Sequence, residues 1–334
     1  MTNQSECQNL PAEIFLGVDG GQSHTEAIIG DERGNVLGRG MGGASNHAEI
    51  PGGRERLQTA MTDSVGAALR NANLPPIDQI VFASAHCGMT GGAIYKTEII
   101  DAIVKAEKLI VGHDAPTALF GATAGEPGIV VIAGTGSVVF GINEKGETAR
   151  AGGLGYLFSD EGSGFWLAAQ MIRLAVKEHD DLIEDHGILR LVLDFFRRGE
   201  IREVTDDFYN GKISRDEIAA LAETAHFAAA AGNQAIRARI FYGVGVLTES
   251  VRAAARKLNF QTAFPVAGVG GMFRADLMNE YFIASLAEKT PHAKFIKPRF
   301  NPAFGALLLS YKQAEIKITE EVLGNLEKSA NEYE

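Results

Sequence analysis

Short apolar runs alternate with amphipathic stretches along the first half of the chain. The runs Ile14 to Val18, Glu26 to Ile29 and Val36 to Met41 predict three strands joined by glycine- and asparagine-containing turns. Between Arg54 and Ala72 the apolar residues recur at helical spacing, and two prolines follow, so a helix is predicted there. Strands that alternate with helices are typical of an α/β fold with a partly parallel sheet.

The pattern completes one cycle and then starts a second. The first cycle ends with a strand over Ile80 to Ala85, a helix over Ile94 to Glu107 and a strand over Leu109 to Gly112. The second opens with strands over Gly128 to Ala133, Ser137 to Asn143 and Thr148 to Ala151.

A long helical region separates these strands from a last α/β stretch. The region from Glu161 to Leu258 is predicted to be mostly helical. The elements predicted after it are a strand over Phe264 to Val269, a helix over Phe273 to Glu288, a strand over Lys294 to Ile296 and a helix over Ala303 to Ala314.

The composition is that of a globular protein. Of 334 residues, 46% are apolar and 22% are charged, and at roughly 150 residues per domain this length predicts two domains. The net charge of −11 argues against a nucleic-acid partner, because phosphate backbones need basic surfaces. The first residues lack a basic and apolar leader, and no apolar run reaches the ~18 residues of a membrane span. We therefore expect a cytoplasmic protein.

Two turns combine glycine with hydroxyl residues, and each lies between two apolar strands. They span Gly20 to Thr25 and Gly134 to Ser137, so the two halves of the chain share one plan. Glycine lets backbone N–H groups approach an anion, and hydroxyls add donors, so the pair favours a polyphosphate site between two lobes. Taken singly, each could be an ordinary hairpin turn. Asp19 would repel a phosphate unless a divalent cation such as Mg²⁺ bridged them.

Asp114 is a candidate general base. It follows the apolar run that ends at Gly112 and precedes Pro116. Two interpretations stay open: the N-cap of a helix, or a carboxylate at the carboxyl end of a strand, where α/β sheets bind ligands. In the second, it would accept a proton from an attacking hydroxyl.

Three further segments could line a site. Asp160 could cap the helix that follows it or contact a hydroxylated substrate, and Asn46 could be a turn residue or bind a ligand. Val266 to Gly271 ends a strand with two adjacent glycines, against which a flat group such as adenine could lie. The histidines near the turns lack carboxylates or cysteines at metal-ligand spacing, so we interpret them as local hydrogen-bonding residues.

In this order, the motifs resemble those of a known superfamily. Phe15 to Thr25 and Gly134 to Ser137 resemble the two phosphate motifs of the actin/hexokinase/Hsp70 superfamily. Ala267 to Phe273 resembles its adenosine motif, and His113 to Ala122 resembles the segment that carries its catalytic aspartate. Within it, the chain resembles the BadF/BadG/BcrA/BcrD ATPase family, which includes N-acetylglucosamine kinases, from residue 15 to about residue 306.

The resemblance implies an α/β fold of two ribonuclease-H-like lobes, with ATP, Mg²⁺ and a sugar in the cleft between them. The first lobe would span residues 1–124 and be completed by a C-terminal helix at about 312–334. The second would span residues 125–311, with a mostly helical insertion at about 161–258.

The resemblance also implies a role for each motif residue. Asp114 would be the general base, and Asp19 would hold Mg²⁺ directly or through water. The implied ATP contacts are Gly20, Gly21, Ser23, Thr25, Gly134, Thr135, Gly136, Ser137, Gly270 and Gly271. The implied sugar contacts are Asn46, Asp114, Thr135, Gly153 and Asp160.

The implied function is an ATP-dependent, homodimeric kinase for N-acetylglucosamine or a related amino sugar. Two alternatives stay open: an activator-type ATPase that couples hydrolysis to a partner protein, and a non-catalytic ATP-binding regulatory module. The isolated Cys7 and Cys87 argue against the activator type, which uses cysteines to hold an iron–sulfur cluster, and Asp19 with Asp114 argues against a module that only binds. The stretch from Asp180 to Leu221 matches no motif, so the sequence does not name the sugar.

Overall fold

A computed structural model describes residues 13–45, 48, 51–90 and 94–332. The chain forms two compact units. The first is Met1–Glu126 with Arg299–Glu334, and the second is Pro127–Pro298.

The first unit is built on a five-stranded sheet. Its strands are β1 (Ile14–Gly20), β2 (Thr25–Asp31), β3 (Val36–Gly42), β4 (Phe82–Met89) and β5 (Ala106–His113), in the order β3-β2-β1-β4-β5. β1, β2 and β3 pair antiparallel, whereas β4 and β5 continue the sheet parallel to β1. Its first three helices are α1 (Gly53–Asn71), α2 (Ile94–Ile103) and α3 (Asp114–Thr123).

The core of this unit follows from the apolar periodicity of the sequence. α1 buries a stripe that includes Leu57, Met61 and Val65, and it packs with the apolar side chains of β1 and β2. The predicted helix over 94–107 is wrong at its end. It stops at Ile103, and the next strand begins at Ala106, which pairs with Phe82 of β4.

The second unit has a sheet of the same plan. Its strands are β6 (Gly128–Ala133), β7 (Ser137–Ile142), β8 (Thr148–Gly152), β9 (Phe264–Val269) and β10 (Ala293–Ile296), in the order β10-β9-β6-β7-β8. Between β8 and β9 lie α4 (Gly164–His179), α5 (Ile188–Phe196), α6 (Ile201–Tyr209), α7 (Arg215–Ala230) and α8 (Gln234–Lys257), and α9 (Asp276–Lys289) precedes β10. β6, β7 and β8 pair antiparallel, and β9 and β10 run parallel to β6.

The end of the chain returns to the first unit. α10 (Pro302–Gln313) packs against β1 and α3, and α11 (Glu320–Glu332) follows it. Tyr311 is fully buried, stacks edge-on against Phe15 and donates a hydrogen bond to the Asp31 carbonyl oxygen at 2.8 Å. The second lobe was expected to extend to residue 311, whereas α10 belongs to the first unit, which resumes at Arg299.

The two sheets share one strand order and one pattern of parallel and antiparallel pairs. This confirms the predicted α/β fold with two lobes of a common plan, and it accounts for the weak repeat in the sequence. No helix within the described ranges is both long and apolar enough to cross a membrane.

Candidate active site

Two carboxylates lie at the carboxyl ends of parallel strands in the first unit. Asp19 is near the end of β1, and Asp114 follows β5 directly as the first residue of α3. β1, β4 and β5 run in the same direction, so their carboxyl ends lie along one edge of the sheet. The capping interpretation of Asp114 is wrong, because the N-cap of α3 is His113 and Asp114 is the first residue of the helix. Its position at that edge of the sheet agrees with the second interpretation.

Two threonines hold these carboxylates. Thr90, just after β4, donates its hydroxyl hydrogen to Oδ2 of Asp114 at 2.8 Å. The Thr117 hydroxyl lies 2.9 Å from Oδ1 of Asp19 and 2.6 Å from the carbonyl oxygen of Asp114. Its single hydrogen serves one acceptor at a time, so Thr117 links the two acidic residues. Neither threonine was among the predicted site residues.

The surroundings of Asp19 disfavour its negatively charged form. Burial, the charge of Asp114 and, to a smaller extent, Glu26 raise the pKa of Asp19 to about 7, against the hydrogen bond from Thr117. Within the described ranges, no lysine, arginine or histidine side chain forms an ion pair with Asp19 or Asp114. A divalent cation would restore the charged form of Asp19, because a nearby positive charge favours a carboxylate.

The single carboxylate of Asp19 suits Mg²⁺ better than a cation whose ligands all come from protein side chains. Within the described ranges, no cluster of three or more His, Cys, Asp or Glu side chains could hold a metal. Mg²⁺ commonly takes one or two carboxylates and fills its remaining positions with water and substrate phosphates. Asp19 meets that requirement.

The first glycine turn packs tightly against its neighbours. A Cβ on Gly20 would come within 2.5 Å of Met89 Sδ and 2.6 Å of Ser45 Oγ, so a larger residue there would force these side chains to move. The Thr25 hydroxyl is buried without a hydrogen-bond partner among the described residues, whereas Ser23 is exposed. A Cβ on Gly21 would lie 3.2 Å from the carbonyl oxygen of His24, which is a tight contact. The predicted sugar contact Asn46 lies outside the described residues.

The second glycine turn is in the second unit and joins β6 to β7. The N–H of Gly134 donates to the carbonyl oxygen of Gly136 at 2.9 Å, and the Ser137 hydroxyl donates to the carbonyl oxygen of Glu161 at 2.9 Å. Within the described ranges, the N–H groups of Thr135 and Gly136 have no hydrogen-bond partner. Adjacent free N–H groups are the kind of donors that can bind an anion.

Asp160 lies against this second turn. Its Oδ2 would be 2.8 Å from a Cβ on Gly136, and its carboxylate accepts hydrogen bonds from the backbone of Ser137 and Gly155. Burial raises its pKa, which the charge of Arg215 and these hydrogen bonds partly oppose. Its Oδ1 is buried and has no partner in the described part of the chain. This orphaned acceptor fits a ligand hydroxyl.

The capping interpretation of Asp160 is wrong. The N-cap of α4 is Ser163, whose hydroxyl accepts the N–H of Trp166 at 3.2 Å. Asp160 instead adopts a left-handed backbone conformation with φ of 70°, which aspartate tolerates better than most residues. The turn aims its carboxylate at the Gly136 backbone rather than at the start of the helix.

The start of α7 also reaches the second turn. The Thr135 hydroxyl donates to Oδ1 of Asp216 at 2.9 Å, and Nη2 of Arg215 would lie 3.5 Å from a Cβ on Gly136. A hydroxyl that donates to a carboxylate offers its lone pairs to a ligand, so Thr135 would accept a hydrogen bond from a ligand hydroxyl. Neither α7 residue was among the predicted site residues, because both lie in the stretch that matched no motif.

The predicted adenosine motif lies beside the same turn. Gly270 has a φ of 105°, and a Cβ there would come within 2.5 Å of the Ala133 carbonyl oxygen. Gly271 faces open space and begins a single 3-10 turn. Gly153 also has a positive φ, and Nη2 of Arg150 donates to its carbonyl oxygen at 2.6 Å.

The fold and the paired turns define the class of protein. Two α/β units of one topology, each with a glycine and hydroxyl turn after its first strand, are the arrangement of actin-like ATPases. Within that class, the chain belongs to the BadF/BadG/BcrA/BcrD ATPase family, whose family model matches residues 16–310.

Several relatives are similar over most of the chain. An N-acetylmuramic acid/N-acetylglucosamine kinase of Clostridium acetobutylicum is 26% identical, over 91% of this chain and 100% of the relative. An N-acetyl-D-glucosamine kinase of Dictyostelium discoideum is 24% identical, over 90% of this chain and 98% of its own. A solved structure from Chromobacterium violaceum, assigned as an N-acetylglucosamine kinase, superposes with a TM-score of 0.71 at 27% identity, over 89% of this chain and 98% of that chain.

Proposed function

We propose that this protein is an ATP-dependent kinase that phosphorylates a hydroxyl of N-acetylglucosamine or a related amino sugar. Membership of an ATPase family supports the use of ATP. The names of the full-length relatives support an amino sugar as the acceptor.

One observation carries the proposal, namely the surroundings of Asp114. The carboxylate stands at the carboxyl end of β5, is only partly buried and is held on one oxygen by Thr90. The other oxygen is available to take a proton from a sugar hydroxyl as that hydroxyl attacks the terminal phosphorus of ATP. The P–O bond to ADP breaks in the same displacement, and ADP leaves.

Asp19 is the residue we propose for Mg²⁺. Its uncompensated charge and its link through Thr117 to Asp114 support this role. When bound, Mg²⁺ neutralises phosphate charge and orients the terminal phosphoryl group. The proposed part of the Gly20–Thr25 turn is to offer Gly20, Gly21, Ser23 and Thr25 to the phosphates, and the unpartnered Thr25 hydroxyl supports it.

The second unit would supply further phosphate, adenosine and sugar contacts. The free N–H groups of Thr135 and Gly136 support phosphate binding at the Gly134–Ser137 turn, and the open space at Gly271 supports adenosine binding beside Gly270. The orphaned Oδ1 of Asp160 and the lone pairs of Thr135 are acceptors that suit sugar hydroxyls. We also propose Gly153 and Asn46 as sugar contacts, on the basis of the family resemblance alone.

A sugar panel tests the proposal. ADP release is measured with Mg-ATP and each of N-acetylglucosamine, glucosamine, N-acetylmuramate, glucose and N-acetylmannosamine, beside a blank without sugar. We expect release that depends on an amino sugar and falls by about 10²- to 10⁴-fold in Asp114→Asn. Release that is equal with and without sugar would contradict a sugar kinase and indicate an ATPase with another partner.

A homodimer and a cytoplasmic location complete the proposal. Light scattering of the purified protein measures the first, and fractionation of the native cells measures the second.

A further inference from the structure

We propose that Arg215 binds the phosphate chain of ATP at the Gly134–Ser137 turn. The inference rests on the proposed ATP-dependent function. It adds a residue that neither the sequence motifs nor the relatives assign.

The guanidinium lies against the turn. Its Nη2 would be 3.5 Å from a Cβ on Gly136, and Oδ2 of Asp160 would be 2.8 Å from the same point, so a guanidinium and a carboxylate both reach this turn. The neighbouring N–H groups of Thr135 and Gly136 have no partner within the described ranges. An arginine beside two free N–H donors is an arrangement that recognises phosphate oxygens.

Two aromatic rings hold the guanidinium in place. Its Cζ lies 5.4 Å from the ring centre of Tyr156 and 5.9 Å from that of Phe165, and the two rings meet edge to face at 5.0 Å. Stacking uses the flat faces of a guanidinium and leaves the N–H donors at its edge free. Arg215 has no ion pair or hydrogen bond with any residue that the structure describes. The rings therefore hold a side chain whose N–H groups donate no hydrogen bond to the described residues, although its charge acts on Asp160.

The charges around the turn require such a residue. Asp160 and Asp216 both approach the turn, and two carboxylates would repel a phosphate chain. Arg215 is the basic side chain beside Asp160 that opposes this repulsion. The alternative is a structural role, in which Arg215 packs on Tyr156 and favours the charged form of Asp160 without touching the ligand.

Binding of three ligands to matched variants separates these roles. Calorimetry measures the affinities of Mg-ATP, Mg-ADP and adenosine for the wild type, Arg215→Gln, Arg215→Lys and Arg202→Gln. Arg202 is an exposed arginine of α6 with a loose contact to Asp206 at 3.9 Å, and it serves as the control. Thermal unfolding of each variant shows that it is folded.

We expect Arg215→Gln to weaken Mg-ATP about 10- to 100-fold, as the loss of a charged hydrogen bond would, and to leave adenosine within about twofold. Arg215→Lys should lie in between, because it keeps the charge but loses the stacked fork. Arg202→Gln should match the wild type for all three ligands.

Three results would overturn the assignment of Arg215. They are an unchanged Mg-ATP affinity in Arg215→Gln, an equal loss for adenosine and Mg-ATP, or an equal loss in Arg202→Gln. Failure of the wild type itself to bind Mg-ATP would refute the proposed function, and the role of Arg215 with it.

Discussion

At the scale of single residues, hydroxyl groups decide what the carboxylates can do. Thr90 fixes one oxygen of Asp114, which leaves the other to face a substrate. Thr117 joins Asp114 to Asp19, so the proposed base and the proposed metal ligand are oriented together. In the second unit, the Thr135 hydroxyl donates its hydrogen to Asp216, so its oxygen can only accept a hydrogen bond from a ligand. Each of these hydroxyls therefore fixes the orientation of a neighbouring carboxylate.

Replacement of Thr90 by valine tests the first of these contacts. Thr90→Val keeps the shape but removes the donor to Asp114, so we expect kcat to fall about tenfold with the KM for ATP unchanged. Thr90→Ser should restore most of the rate. Steady-state kinetics measure both, with Thr148→Val, an exposed threonine of β8, as the control. A higher KM for ATP with an unchanged kcat would contradict a role through Asp114.

His86 makes the first unit sensitive to acid. Burial in β4 lowers the pKa of His86 to about 4, and the side chain of Gln313, which favours the protonated ring, opposes this only in part. The unfolded chain takes up a proton near pH 6.5, so the free energy of unfolding falls as the pH drops from about 6.5 towards 4. At pH 5 the loss is roughly 2 kcal/mol.

A neutral replacement should remove this part of the acid sensitivity. We expect His86→Gln to lose roughly 2 kcal/mol less than the wild type between pH 7.5 and pH 5, whatever its stability at pH 7.5. Urea unfolding followed by circular dichroism gives the comparison. Parallel pH profiles for the two proteins would contradict a neutral, buried His86.

At the scale of elements, glycines bring α10 close to its neighbours. A Cβ on Gly305 would overlap the Thr117 carbonyl oxygen and the backbone nitrogen of Gly121, and a Cβ on Gly17 would overlap the backbone of Leu307. α10 therefore packs backbone to backbone on α3 and on β1. Because α3 carries Asp114 and Thr117, this contact also sets the position of the proposed base.

An alanine at Gly305 should push α10 away from α3. We expect Gly305→Ala to lower the free energy of unfolding by about 1–3 kcal/mol and to reduce kcat, because Asp114 moves with α3. Gly324→Ala in α11 is the matched control, since nothing lies within 4 Å of its added Cβ, and it should be neutral or stabilising by up to about 1 kcal/mol. Chemical unfolding and ADP release measure both effects, and equal behaviour of the two variants would contradict the packing argument.

The elements differ in how well the sequence predicts them. β6 and β9 match their predicted bounds, because a short apolar run between glycine-rich turns forms a buried strand. The end of α2 was missed, because the residues around Ala106 suit a helix locally and become a strand only through pairing with β4.

The proposed site divides in the same way. Asp19, Asp114 and the glycine turns stand in motifs that are local in the chain, so the sequence could present them as candidates. Arg215 and Asp216 reach the second turn from about 80 residues away, through the packing of α7 on α4, and no local pattern signals that contact. Thr90 is also brought to Asp114 by the alignment of β4 with β5.

At the scale of the whole molecule, one unit is continuous in sequence and the other is not. Every residue of the second unit's core cluster lies between Ile129 and Ala293. The first unit needs the returning segment, in which Phe304, Leu307, Leu308 and Tyr311 are buried. At about 1.5–3 kcal/mol per buried side chain, those four supply about 6–12 kcal/mol, comparable with the ~5–15 kcal/mol stability of a domain.

This difference predicts unequal behaviour of fragments. Residues 127–298 should unfold cooperatively in urea on their own, whereas residues 1–126 should not. Joining residues 1–126 to residues 299–334 through a short Gly/Ser linker should restore cooperative unfolding, because the Arg299 N–H bonds the Ala122 carbonyl oxygen at 3.1 Å and the ends lie close. Cooperative folding of residues 1–126 alone would contradict the account of α10.

Direct observation of the phosphorylated product tests the central claim, that the protein transfers phosphate to a sugar hydroxyl with Asp114 as the base. Phosphorus NMR follows Mg-ATP and N-acetylglucosamine with the wild type and with Asp114→Asn. We predict that ADP and one new phosphomonoester resonance appear together in the wild type, at a rate at least about 10² times that of the variant. ADP with inorganic phosphate and no phosphomonoester, or a phosphomonoester formed at the wild-type rate by Asp114→Asn, would contradict it.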